Sequence, residues 1–146
     1  MIYNTIMKNI IIDTNVLIAG LQSKRGQSYR LLQLLYESQF EISISVPLIL
    51  EYEALLKKKL DRNIFSDSHI EAFIDYLCKI GRHIKIYYLW RPYLKDAFDD
   101  HVLELALASE CDYIVTYNLK DFKRAEELGI KAITPGEFIE ILLKEE

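Results

Sequence analysis

Ile10-Ile11-Ile12-Asp13-Thr14-Asn15 is the stretch whose reading decides the fold. Three β-branched apolar residues follow one another without a polar interruption. That is the pattern of a strand buried on both faces, as in a parallel sheet covered by helices. The run ends on an acid, so a carboxylate is placed at the carboxyl end of a central strand. Open α/β sheets put their ligands and chemistry at that edge. A capping role for Asp13 in the following helix accounts for the residue equally well, and Thr14 or Asn15 could serve the same purpose.

On either side of this run the pattern alternates between strands and helices. The spacing predicts a short helix over 16–21 and a polar break at Lys24-Arg25-Gly26-Gln27. A helix over 28–37 follows, with Leu31, Leu34 and Leu35 inward. Phe40, Ile42, Ile44 and Val46 alternate with polar residues as a strand does. Pro47 suits the first turn of a helix that runs to about Leu60. Asp67 and Ser68 can cap a helix carrying Ile70, Phe73, Ile74 and Leu77, which ends near Gly81. The pattern then predicts a strand over 84–89, an aromatic connection over 90–98 and a helix over 99–109. Residues 113–116 form a short buried strand, 120–128 a helix closed by Gly129, and 130–133 a last strand. Pro135 opens a final helix with Phe138, Ile139 and Leu142 inward. Such alternation predicts the α/β class: a three-layer α/β/α sandwich around a central, mainly parallel sheet.

The 146 residues form one expected domain, with residues 1–7 as a flexible lead. No apolar run reaches the length of a membrane span, and the N-terminus lacks the order of a signal peptide. A cytoplasmic location is expected. Cys78 and Cys111 are too few and too far apart for a disulfide framework or a zinc site, and read as reduced core thiols. The net charge of −4 does not attract nucleic acid as a whole, so a polyanion would need a local basic patch.

Several acids occupy apolar helix faces. Leu48, Glu51 and Leu55 share one face, which puts a carboxylate in an apolar stripe, whereas Glu53 and Lys57 make an ordinary solvent-side pair. Asp99 heads the stripe of Val102, Leu103 and Ala106, and Asp100 points further round. Thr116, Asn118 and Asp121 follow the buried strand at Tyr113 and reach the same carboxyl edge as Asp13. Capping explains each acid singly. Together, Asp13, Glu51 and Asp99 converge with Thr116, Asn118 or Asp121. Three carboxylates at close range repel, and a hard divalent cation relieves the repulsion. An all-oxygen donor set selects Mg²⁺ or Mn²⁺.

Taken in order, Ile12-Asp13-Thr14-Asn15, Glu51-Tyr52-Glu53, the stretch from Asp96 to Ala106, Asp112 to Asn118 with Lys120-Asp121-Phe122, and Thr134-Pro135-Gly136-Glu137-Phe138 resemble the PIN-domain family, in particular its VapC-like toxins. The resemblance covers the chain after Met7. It implies a metal-dependent endoribonuclease, using Mg²⁺ or Mn²⁺, that acts on RNA. It also implies a small antitoxin as partner and a homodimer. The family's first three acids fall on Asp13, Glu51 and Asp99. Many members carry an acid directly after the threonine-containing strand end. Here that position is Asn118, and Asp121, three residues on, is the fourth candidate. Thr14, Asn15, Thr116, Asn118, Asp96 and Asp100 are the expected polar supports.

The alternative is a PIN-like module that binds RNA or protein with little turnover, and Asn118 is the feature in its favour. Aspartyl-phosphate chemistry normally wants a second acid two residues after the nucleophile, where this chain has Asn15. Lys24-Arg25 with Arg30, and Lys57-Lys58-Lys59 with Arg62, are possible phosphate contacts that read first as solvated faces. Tyr87, Tyr88, Trp90 and Tyr93 read as packing residues; His69, His83 and His101 are scattered, and His101 reads as a surface residue.

Overall fold

A computed structural model describes residues 6–86 and 97–145, and the side chains of residues 97–99 lie outside that description. The aromatic run Tyr87, Tyr88, Trp90 and Tyr93 and the acid Asp96 therefore fall outside the described residues. In chain order the elements are β1 (Asn9–Ile12), α1 (Thr14–Gln22), α2 (Gln27–Tyr36), β2 (Glu41–Ile44), α3 (Val46–Lys59), α4 (Asp67–Ile80) and β3 (Arg82–His83). Then come α5 (Ala97–Ser109), β4 (Tyr113–Val115), a 3₁₀ helix (Leu119–Leu128), β5 (Ala132–Ile133) and α6 (Pro135–Lys144). The strands form one sheet in the order β3-β2-β1-β4-β5, and every pairing is parallel. Helices flank the sheet, giving the expected α/β/α arrangement.

β1 is the central strand, and Ile10, Ile11 and Ile12 are all buried. Ile10 faces Ile42 of β2 and Tyr113 of β4, which places Ile12 level with Val115. All strands run one way, so β1, β2 and β4 end at one edge. Each hands over there to a helix: α1 after Asp13, α3 after the N-cap Ser45, and the 3₁₀ helix after Asn118. Ser45 Oγ accepts from the Leu48 backbone N–H, so Val46 starts α3 and is not the end of the strand.

Three elements differ from the sequence pattern. The third strand lies at Arg82–His83, earlier than 84–89. Residues 84–86 lie outside any strand, although the Ile84 N–H bonds the Ile44 carbonyl at 2.9 Å, and residues 87–89 fall outside the described residues. The segment from Leu119 is a 3₁₀ helix. Its buried residues are Phe122 and Ala125, three apart, and three residues per turn set both on one face. Gly129 closes it in a left-handed conformation. α4 is capped by Ser66, with His69 completing a capping box. The two cysteines are half-buried rather than fully buried, and burial pushes the Cys111 thiol up to about 12.

α1 and α2 cross closely at Gly20. A Cβ there would lie 2.7 Å from Leu32 Cδ1 and 2.9 Å from the Ser28 carbonyl oxygen. In an open helix, replacing glycine by alanine stabilises by roughly 1 kcal/mol. Here the backbone oxygen must give way, and Gly20→Ala is expected to cost about 1–3 kcal/mol in urea unfolding. A variant as stable as the parent, or more stable, would contradict this packing.

Candidate functional site

Asp13 sits where β1 ends. Its N–H bonds the Val115 carbonyl at 2.9 Å, its backbone stays extended, and its side chain is 5% exposed. One carboxylate oxygen, Oδ1, accepts the Thr14 N–H at 3.0 Å, which caps α1. The other, Oδ2, accepts the Thr116 hydroxyl at 2.7 Å and the Asn15 amide at 3.1 Å. Asp13 is thus both a cap and the knot between the ends of β1 and β4. Thr116 Oγ1 accepts the Asn118 N–H at 2.9 Å, and the Tyr117 N–H donates to Asn15 Oδ1 at 3.3 Å.

Glu51 approaches from α3. The stripe that α3 buries is Leu48, Tyr52 and Leu56; Leu55 is only half-buried, and Glu51 lies at the stripe's border. The reason is Tyr52, whose ring fills the core and whose hydroxyl donates to the Ile12 carbonyl at the end of β1. The Thr14 hydroxyl donates to Glu51 Oε2, and His101 Nε2 donates to Oε1 at 3.0 Å. Glu51 therefore joins the Asp13 network through Thr14.

His101 corrects the sequence reading, because it is buried and not a surface residue. Asp100 and Glu104 are buried with it, so Asp100 does not point round towards solvent. From Asp100 to Ala106 no residue of α5 is exposed, and the helix is enclosed on all sides there. In the sequence Asp100, His101 and Glu104 share the face opposite Val102, Leu103 and Ala106, so only the tertiary packing shows that this polar face is buried. His101 Nδ1 is buried without a hydrogen-bond partner among the described residues. Asp99 belongs to the first turn of α5, but its side chain lies outside the described residues. Asp121 lies in the first turn of the 3₁₀ helix, half-buried, and no described hydrogen bond joins its carboxyl to Asp13 or Glu51. Asn118 is exposed and makes no side-chain cap.

The two acids are driven apart electrostatically. Burial pushes the Asp13 carboxyl above its ordinary value; the Thr116 bond opposes this and the charge of Glu51 adds to it. Burial also pushes Glu51 up, but the bonds from His101 and Thr14 outweigh it and leave Glu51 below its ordinary value. Tyr52 is held well above its ordinary value by burial and by both acids. Among the described residues no lysine or arginine pairs with Asp13 or Glu51. A buried, like-charged pair with only neutral donors and one histidine around it is chemically suited to a hard cation. The described residues contain no group of three histidine, cysteine or acidic side chains able to hold a metal.

An apolar hollow of about 370 Å³ lies at the other end of α3 between Leu21, Leu60 and Phe73, away from these acids.

A family model described as PIN domain matches residues 9–120. A solved structure of FitAB bound to an IR36 DNA fragment is similar at a TM-score of 0.57 and 15% identity, over 86% of this chain and 94% of that one. At that identity the likeness speaks for the fold alone. Among curated proteins, none matches the chain.

A carboxyl whose pKa rises on folding contributes stability that is complete below its unfolded pKa and is lost as pH rises through its folded pKa. Asp13 is such a group. In chelator at neutral pH, Asp13→Asn is expected to melt above the parent, and the gap is expected to close as pH falls into the carboxylate range. Melting curves at a series of pH values check this. A parent more stable than the variant at every pH would show that Asp13 carries no burial penalty.

Proposed function

Because the chain belongs to the PIN domain family, we propose that it is a metal-dependent endoribonuclease and the toxin of a VapC-like toxin–antitoxin pair. The observation that carries this reading is the buried Asp13 carboxylate coupled through Thr14 to Glu51, with no lysine or arginine opposite among the described residues. Members of the family are generally metal-dependent nucleases.

In this reading Asp13, Glu51 and Asp99 hold Mg²⁺ or Mn²⁺, with Asp121 as the fourth acid on the same edge. When bound, the ion supplies charge neutralisation for the phosphodiester and an acidified water for hydrolysis. The chain's own residues provide the frame. Thr116 and Asn15 fix the orientation of Asp13, and Thr14 and His101 fix that of Glu51. Glu51, below its ordinary carboxyl value, stays ionised and ready to ligate. Asp96, Asp100 and Asn118 complete the polar surround. RNA as substrate, a small antitoxin as partner and a homodimer belong to the same proposal through the VapC-like resemblance. No described helix is long and apolar enough to cross a membrane.

A second reading is a binding module with little turnover. It is favoured by Asn118, an exposed amide at the position where many members carry an acid.

Purified protein is expected to cut a mixed RNA with Mg²⁺ or Mn²⁺ and not with chelator. Asp13→Asn and Asp99→Asn are each expected to lose more than about a hundredfold in rate, the effect of several kcal/mol of lost charge stabilisation. Full activity in a folded Asp99→Asn protein would remove Asp99 from the site. Binding of Mn²⁺ without cutting of any RNA would favour the second reading. His101→Leu removes a donor to Glu51 and is expected to weaken Mn²⁺ binding by roughly 10–100-fold in a direct titration.

A further inference from the structure

The two acids belong to different elements, and one buried side chain ties those elements together. Asp13 stands at the end of β1, and Glu51 lies on α3. Tyr52 follows Glu51 directly. It is 1% exposed, and its hydroxyl donates to the Ile12 carbonyl. That carbonyl belongs to the peptide group whose nitrogen is that of Asp13. The Asp13 N–H is bonded in turn to the Val115 carbonyl at 2.9 Å. One planar peptide is therefore gripped at both ends, by β4 through its nitrogen and by α3 through its oxygen.

Buried tyrosine hydroxyls ordinarily find an acceptor. What distinguishes this one is where its acceptor sits. Two side-chain bonds join the end of β1 and the start of α1 to the Glu51 turn of α3, and they differ in kind. The Thr14 hydroxyl takes up an oxygen of Glu51 itself. The Tyr52 hydroxyl bonds backbone and uses neither carboxylate, so it fixes the separation of the acids while leaving their oxygens to other partners. Burial and the charge of both acids hold the phenol well above its ordinary value, so it stays a donor.

The separation of two carboxylates decides which hard cation they suit. Mg²⁺ takes oxygens at roughly 2.0–2.1 Å in a near-ideal octahedron, whereas Ca²⁺ takes them at roughly 2.3–2.6 Å in a larger and more flexible shell. A pair held at fixed spacing can be strict. A pair free to drift apart penalises the smaller, more exacting ion first. We propose that Tyr52 is a positioning residue that sets the separation of Asp13 and Glu51 and thereby makes the site select Mg²⁺ over Ca²⁺. The inference rests on the metal-dependent reading and goes beyond it, because it assigns the choice between ions to a side chain that ligates neither.

The test is metal binding to the metal-free protein, without RNA. Mn²⁺ binding is read from the electron paramagnetic resonance signal of the free ion, and Mg²⁺ and Ca²⁺ affinities from the concentrations at which each displaces it. Tyr52→Phe keeps the ring and removes only the hydroxyl. Its Mg²⁺ affinity is expected to fall about 10-fold or more, as when a support behind a ligand is removed. Its Ca²⁺ affinity is expected to fall less than about threefold, because the larger shell adapts. Tyr52→Met also lacks the hydroxyl and fills the space with a flexible chain. Melting curves in chelator establish which variant is folded, and the methionine variant carries the test if the phenylalanine variant is not. A folded variant whose ratio of Mg²⁺ to Ca²⁺ affinity equals or exceeds the parent's overturns the inference, whether both affinities are kept or both fall together. The metal-dependent reading survives that result. A parent that binds Mn²⁺ no better than Asp13→Asn overturns both.

Discussion

The hydrogen bond from Thr116 to Asp13 ties the carboxyl ends of two neighbouring parallel strands through one buried charge. Much of the site follows from that constraint. Asp13 must be held by donors because it is out of water, and those at hand are the first residues of α1 and the end of β4. Thr14 and Asn15 are therefore committed in both directions: each supports Asp13, and each reaches a second element, Glu51 on α3 or the backbone of Tyr117. A small hydroxyl and an amide at consecutive positions thereby join three parts of the chain.

The arrangement is stable as a fold and unsatisfied as chemistry. Neutral donors orient Asp13 without cancelling its charge, and the nearby Glu51 makes its ionisation harder. Replacing the acids by apolar groups would remove this cost. A buried acid beside a half-buried one, with no lysine or arginine paired to either among the described residues, is therefore informative, because it spends stability on charge. Tyr52 shows how much the frame is built around the pair: its hydroxyl bonds the Ile12 carbonyl directly below the acids, and burial, with the charge of both acids, holds it far from ionisation.

The parts of this structure legible in the sequence are those with local causes. The unbroken Ile10-Ile11-Ile12 run is the central strand, and Asp13 stands at its end. Pro47 and Pro135 open helices. Helical periodicity also marked Glu51 as an unusual acid, although Leu48, Tyr52 and Leu56 form the buried stripe that it borders. What was not legible depends on tertiary enclosure. His101 reads as a surface histidine until α5 is seen to be buried on every side from Asp100 to Ala106. The third strand lies at Arg82–His83 because it pairs there with Ser43 and Ile44 of β2, a fact about the partner and not about its own residues.

The central claim is that Asp13 and Glu51 are brought together to hold a hard divalent cation. Crystals soaked in Mn²⁺ and measured for anomalous scattering test it most directly. The account predicts a peak within ligand distance of the Asp13 carboxylate, adjoining Glu51 and the first turn of α5. A well-occupied peak elsewhere on the molecule, with none at Asp13, would contradict it.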